Sequence, residues 1–408
     1  MISAEKALQI VLDHTRTLEP SEVPLLSSID MVLADDIIAA EDYPPFDKST
    51  IDGFAIRSAE IARSDRAKPT TLILDGDIKV GDCWDKPLVS GHAVKVAAGA
   101  PLPEGADAVV SGDYAVRESS KKVKIYKSEK PGEHIIIRGD DVEKSSVILP
   151  KGRIVNAADI GLLAATGAGP IPCYRKPRIC FFASGNDLIS PLAPAEAGKI
   201  RASAYYTLQI QLQRYGADPV DLGILQLDPD EIKTNIEKGQ CCDMMIITSG
   251  ASGGDFDYLK AILQKYGLDL KFWRVAIRPG KPFVFGMFDS MPVFGLSDNL
   301  LSSMVVLEHF VRPSIMKMQG KSEDRRMEVK ARLEKDIRGG NGITCFVRAE
   351  VRLTDDGFVA TPLGMRTSYL AKAFLTANGF ITLPPHIPGF GAGEMVKVQI
   401  IGDNIAMN

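Results

Sequence analysis

Arg178-Ile179-Cys180-Phe181-Phe182 followed by Ala183-Ser184-Gly185 decides how the chain is read. An unbroken apolar run that ends abruptly in small residues is the pattern of a strand buried on both faces and followed by a tight loop. Working outward, the same grammar repeats. A helix is expected near 203–215 and a strand over Pro219–Leu225. Asp228-Pro229 then opens a helix, with Asp as cap and Pro in the first turn. Met244–Thr248 is a strand ending in Ser249-Gly250. A helix over 257–266, strands at 283–288 and 292–296, and a long helix over 300–317 complete the alternation. Strand–helix alternation of this kind predicts a mostly parallel, doubly wound sheet covered on both faces. Ligands of such sheets bind beyond the carboxyl ends of the strands.

The flanking segments differ. Residues 3–18 read as an amphipathic helix capped by Ser3, with Ala4, Ala7, Leu8, Val11 and Leu12 on one face. Tyr43-Pro44-Pro45 forces extended backbone, and a hinge is expected there. Residues 47–139 carry short β-branched runs separated by Gly, Pro and Asp turns. A helix near 156–166 returns to the character of the N-terminal region. Residues 321–408 revert to short strands, the pattern of a small barrel. The expected division is therefore an extended helical part (1–46 with 140–172), an inserted β-rich domain (47–139), an α/β domain (173–320) and a C-terminal β-barrel (321–408).

Composition narrows the function. Among 408 residues, 48 Lys and Arg against 52 Asp and Glu give a formal charge of −4, which argues against non-specific nucleic-acid binding. Apolar residues at 45% and charged residues at 25% exclude disorder as the main state. No apolar window is long enough for a membrane helix, and no secretory leader is visible. Six cysteines without a C-x-x-C pair, and five scattered histidines, give no zinc-site spacing. The expectation is a cytoplasmic protein with reduced, mostly buried thiols.

Three strands of the α/β region end in loops of small residues: Ser184-Gly185-Asn186-Asp187, Ser249-Gly250 through Ser252 to Asp257, and Ser297-Asp298-Asn299. Such loops let backbone N–H groups approach an anion. Ordinary turn chemistry explains any one of them, but three at one edge point to a site. Arg278-Pro279-Gly280-Lys281-Pro282 is the sharpest basic feature. A proline-braced loop presents two cations to an anionic ligand, although Pro-Gly also marks plain turns. Asp52-Gly53 lies between apolar residues and by itself reads as a hairpin turn. Asp228, Asp255 and Asp257 read as helix caps. No histidine sits in a triad-like arrangement.

Taken in order, the motifs resemble the molybdopterin molybdenumtransferase family, which includes bacterial MoeA and the gephyrin E domain. The resemblance runs from Pro45-Phe46-Asp47-Lys48-Ser49-Thr50-Ile51-Asp52-Gly53-Phe54-Ala55, through Gly99-Ala100-Pro101-Leu102-Pro103-Glu104-Gly105-Ala106-Asp107-Ala108-Val109, Arg138-Gly139-Asp140-Asp141 and Arg278–Pro282, to Ala377-Asn378-Gly379-Phe380-Ile381. It implies an elongated four-domain subunit in a homodimer, whose α/β domain holds the pterin and whose cleft receives the partner's inserted domain. It also implies a reaction in which adenylylated molybdopterin and molybdate are the substrates, AMP is released and Mg²⁺ takes part. A molybdopterin-adenylyltransferase and molybdoenzymes are the implied protein partners. By motif position Asp52, Asp187, Asp228 and Asp257 are the catalytic acids, with Asp228 and Asp257 also holding metal. Ser184, Gly185, Ser249, Gly250, Ser252, Arg278, Gly280, Lys281, Ser297 and Asn299 bind substrate.

Several ligand loops depart from the family pattern. Pro-Gly-Asn-Pro is here Ser297-Asp298-Asn299-Leu300, and Asp-Thr-Asn is Ala202-Ser203-Ala204. The Asp of Thr-Gly-Asp-Glu is Asn186, and the Thr before Gly-Ala-Pro is Ala98. Asp298 is expected either to oppose a bound anion or to cap the following helix and occupy the anion's place. These departures leave two alternatives beside molybdenum insertion: a diverged paralogue for another pterin or nucleotide, or a non-catalytic dimeric scaffold.

Overall fold

The computed structural model describes residues 1–250, 253–321, 326–339, 342–363, 375–401 and 406–407. The chain forms two compact units: Met1–Ser21, Asp30–Val32 and Tyr174–Asn408 make the larger, and Glu22–Ile29 with Leu33–Cys173 the smaller.

In the smaller unit a six-stranded sheet has the order Ala108–Ser111, Gly53–Ile56, His92–Val96, Thr70–Ile78, Lys122–Ile125, Ala115–Ser119. The Thr70–Ile78 and His92–Val96 pair is parallel and the others are antiparallel. Asp52-Gly53 is not a hairpin turn. Gly53 begins a buried strand, and a Cβ there would lie 2.1 Å from the Val110 carbonyl oxygen. The glycine is needed for backbone approach rather than for a turn conformation. The expected hinge is a crossing of two chain passages. Tyr43 and Val142 exchange both backbone hydrogen bonds, and Gly139 N–H donates to Pro44 O. Arg138 Nε bonds Asp42 Oδ2 at 2.6 Å beside them. The helix Ala157–Ala165 carries a capping box between Asn156 and Asp159.

The larger unit holds the alternating stretch. Its strands are β1 (Arg178–Ser184), β2 (Asp218–Leu225), β3 (Met244–Ser249), β4 (Asp269–Arg274), β5 (Pro282–Phe288) and β6 (Met291–Ser297), in the order β2-β1-β3-β6-β5-β4. The first four in that order are parallel, and β5 and β4 form an antiparallel edge. Four helices serve this sheet: α1 (Ser203–Arg214), α2 (Pro229–Gly239), α3 (Gly253–Lys265) and α4 (Leu300–Val306). The expected long helix over 300–317 is interrupted. A π-helical turn, Leu307–Val311, separates α4 from a second α segment, Arg312–Met318. The N-terminal helix spans Ala4–Asp13, shorter than expected, and buries Ala7 and Val11 in the core of this larger unit.

The C-terminal strands close a barrel. Thr344–Thr354, Gly357–Pro362, Glu328–Leu333, Met395–Ile400 and Gly379–Leu383 pair in sequence, and the last pairs back with the first. The Ala377–Ile381 motif is the closing device. The Asn378 side chain accepts from Val351 N–H at 2.6 Å and donates to Val351 O at 2.9 Å, standing in for a strand neighbour. A Cβ at Gly379 would meet Val398 at 2.7 Å.

Gly53→Ala is expected to destabilise the chain by about 2 kcal/mol or more through overpacking, read as a lower midpoint in urea. An unchanged midpoint would mean that the Val110 carbonyl yields without cost.

Candidate active site

The parallel strands β1, β3 and β6 end in a row of serines. Ser184 is in register with Ser249, and Ser249 with Ser297. All three are buried. The Ser184 hydroxyl donates to Gln226 O at 3.1 Å, whereas the hydroxyls of Thr248 and Ser249 have no partner among the described residues. Buried hydroxyls without partners are uncommon, because each forgoes a hydrogen bond it had in water.

The loop after β1 is built around Gly185. A Cβ there would stand 2.9 Å from Asp187 Oδ1, so the glycine makes room for that carboxylate. Asn186 Oδ1 accepts from Leu227 N–H at 3.0 Å and ties this loop to the one after β2. The acceptor oxygen survives the change from Asp to Asn. Asp228 caps α2 as expected, with Oδ1 accepting from the N–H groups of Asp230 and Glu231.

Arg278 and Lys281 stand on a loop gripped from both ends. Ile277–Arg278 pairs with Thr344-Cys345 of the barrel sheet, and Pro282 begins β5 of the central sheet. Between them Gly280 has φ +98°, and a Cβ there would press on Ile277 and Val306 at 3.1 and 3.2 Å. Both cations are exposed, and among the described residues neither forms an ion pair in the structure. They line a cavity of about 460 Å³ together with Gly280, Ser297, Asn299 and Ser302. Five expected substrate-binding residues are thereby assembled in one place. Met1 and Ile343, which also line it, carried no signal in the sequence. Met1 arrives because Ile2 bridges to Val275.

Asp298 corrects the sequence reading. It does not cap the helix after β6. Asn299 does, its Oδ1 accepting from Ser302 N–H at 3.1 Å. Asp298 is instead buried, with Oδ1 unpartnered among the described residues and its N–H bound to Ser249 O at 2.7 Å. Burial, and secondarily the charge of Asp187, push its carboxyl up to about 7. Its charge near neutrality is therefore smaller than a surface aspartate would carry, which weakens the expected opposition to an anion.

The remaining acids are dispersed. Asp257 is not a cap, since α3 begins at Gly253. Its carboxylate faces Lys260 at 3.9 Å and Arg274 at 3.7 Å, two cations that both sit 3.8 Å from the ring of Trp273. Asp52 belongs to the smaller unit, where its Oδ1 accepts from Ala98 N–H at 2.9 Å. Ser252 lies outside the described residues. The altered start of α1 has no side-chain cap; Ala202 and Ala204 are packed into the core instead. Among the described residues Glu129, Glu133 and His134 come within 4.8 Å of one another, but Lys127 already salt-bridges Glu129 at 2.9 Å. Neither Asp228 nor Asp257 joins such a group among the described residues.

The carboxyl edge of this sheet meets a cation loop braced by the barrel, and comparison with known proteins identifies the family that has this architecture. Residues 2–167 match the model of the MoeA N-terminal region (domains I and II), 180–317 that of the probable molybdopterin binding domain, and 330–401 that of the MoeA C-terminal region (domain IV). The chain is 35% identical over 404 residues to a molybdopterin molybdenumtransferase of Bacillus subtilis, covering 98% of this chain and 94% of that protein. A Staphylococcus aureus protein of the same name is 32% identical over 409 residues, covering 99% and 97%. A solved structure of a molybdopterin biosynthesis MoeA protein from Pyrococcus superposes with a TM-score of 0.87 at 27% identity, covering 98% of this chain and 99% of that one. The chain belongs to the molybdopterin molybdenumtransferase family and has its four-domain architecture, with a closed five-stranded barrel at the C-terminal end. A full-length match of this kind does not favour the paralogue or scaffold alternatives.

Two predictions follow from these contacts. Because the Asp298 pKa lies above its unfolded value, the folded chain holds a proton between about pH 4 and 7 that the unfolded chain has lost. Stability from this group therefore falls as pH rises through that window and stays low above it. Asp298→Asn is expected to flatten the profile and to gain on the order of a few kcal/mol at pH 8, measured by urea unfolding at pH 4.5 and 8; parallel profiles would contradict it. Asp228→Ala is expected to lose about 1 kcal/mol with the helix cap while Asp228→Asn keeps it, so thermal unfolding separates capping from any role of the charge.

Proposed function

We propose that this chain inserts molybdenum during molybdenum cofactor biosynthesis, taking adenylylated molybdopterin and molybdate and releasing AMP. The observation that carries the reading is the cavity in which Arg278 and Lys281 stand without carboxylate partners among the described residues, beside Ser297, Asn299 and Ser302. Two fixed cations and several hydroxyl and amide groups in one concavity suit a phosphate or an oxyanion, whose charge they meet without reorganising. The relatives' names supply molybdopterin and the transfer of molybdenum; the adenylate, the molybdate and the release of AMP come from the motif resemblance.

In this reading Arg278 and Lys281 hold the oxyanion, Ser297 and Asn299 orient it, and Gly280 lets it approach the loop backbone. Ser184, Gly185, Ser249 and Gly250 serve the pterin, and Ser252, outside the described residues, is assigned to it by motif position alone. Asp52, Asp187, Asp228 and Asp257 are the acids that orient water or metal. Carboxylate oxygens are the donors Mg²⁺ takes. Asp228 spends only Oδ1 on its helix, and the cations facing Asp257 stand beyond hydrogen-bond distance, so each carboxylate separately keeps an oxygen that would serve as a donor to such an ion. Bound there, Mg²⁺ would supply neutralisation of phosphate charge. The reading includes a homodimer, a molybdopterin-adenylyltransferase that hands on the substrate, molybdoenzymes that receive the product, and a cytoplasmic location. Its domain division is 1–46 with 140–172, 47–139, 173–320 and 321–408. Among the described residues no helix is long and apolar enough to cross a membrane.

The test is AMP release from adenylylated molybdopterin, followed with and without molybdate. Release is expected to depend on molybdate, and Lys281→Ala is expected to slow it by roughly 100-fold or more with little change in melting temperature. AMP release indifferent to molybdate would defeat the reading, and equal losses of activity and stability would make Lys281 structural.

A further inference from the structure

At the amino edge of the central sheet, opposite the site above, a second cavity of about 600 Å³ is lined by Cys241, Cys242, Met291 and Arg16. Three of these four side chains carry sulfur. A third thiol lies behind them: Cys180, in the middle of β1, is fully buried. The Cys242 thiol interacts with Cys180 on one side and Cys241 on the other. Cys241 is exposed and Cys242 buried, so the thiols step from solvent into the core. Gly239 is shaped by this arrangement, since a Cβ there would stand 2.7 Å from Cys180 Sγ and 2.4 Å from Met245 Cε.

We propose that Cys241 and Cys242 form a binding site for a single soft monovalent cation of the Cu(I) type. Thiolate and thioether sulfur select soft ions over Mg²⁺ or Ca²⁺. Binding replaces two S–H bonds by two S–Cu bonds and releases two protons to solvent, with no change of oxidation state. The product carries one net negative charge; Arg16 lines the same cavity together with Asp243, which Arg175 pairs at 2.6 Å, and Asp289. Cys180 is the supporting neighbour: it is fully buried, with its Sγ within hydrogen-bond distance of Gly239 O and Met244 O. Cys83 is also exposed, but it lies in the smaller unit and does not line this cavity. The inference does not rest on the transferase reading.

The test is anaerobic titration of the reduced full chain with Cu(I) against a chromophoric chelator. One equivalent retained by the wild type is expected, with a release of two protons per ion measured in weakly buffered solution. Cys241→Ala and Cys242→Ala are each expected to weaken retention at least tenfold, and Cys83→Ala to leave it unchanged. Should Cys242→Ala fail to fold by circular dichroism, alkylation of the exposed Cys241 in the native wild type is expected to abolish retention. No retention by the wild type, retention that survives loss or alkylation of Cys241, or an equal loss in Cys83→Ala would overturn the proposal.

Discussion

The site depends on one mechanical constraint: residues 277–282 belong to two sheets at once. The segment leaves the barrel sheet at Arg278, where it pairs with Cys345, and enters the central sheet at Pro282, in register with Arg274. A five-residue span anchored at both ends has little freedom to collapse its cations onto nearby carboxylates. That matters because an exposed Arg or Lys ordinarily finds a partner or wanders, whereas a held cation meets an anion without further ordering cost. Gly280 completes the brace. Its left-handed backbone brings the loop against Val306 of α4, so the helix that follows the Ser297 loop also supports the Lys281 loop.

The polar groups of the sheet edge complement this positive wall. Among the described residues, the hydroxyls of Thr248 and Ser249 and a carboxyl oxygen of Asp298 are buried without partners. Such groups cost stability in the free protein. Sites that bind polar ligands carry costs of this kind, since a site whose groups are all mutually satisfied has nothing left with which to recognise a ligand. The rise of the Asp298 carboxyl follows the same logic: buried, and beside the charge of Asp187, its neutral form is the cheaper one in that place.

Much of this was legible from residues alone. The alternation from Arg178 onward names the parallel sheet, because strands buried on both faces must be apolar throughout. The braced cation loop and two of the three small-residue loop ends were legible for the same local reason, proline and glycine being tied to backbone shape; in the third, Ser252 falls outside the described residues. What was not legible depends on neighbours distant in sequence. Asp52-Gly53 looks like a turn until Val110 is placed against it. Asp298 and Asn299 are both good caps, and only the burial of the first assigns the role to the second. Asp257 gives no hint that Lys260 and Arg274 flank Trp273 beside it. The cysteines showed no metal spacing because Cys241 and Cys242 are immediate chain neighbours rather than a C-x-x-C pair, and only the fold sets Cys180 behind them.

The central claim is that Arg278 and Lys281 hold the anion. Tungstate is a heavy analogue of molybdate, and its anomalous scattering locates it without assumption. In a crystal soaked with tungstate the strongest anomalous peak is predicted in the cavity, in contact with both side chains. A peak elsewhere in the chain, with that cavity empty, would contradict the account.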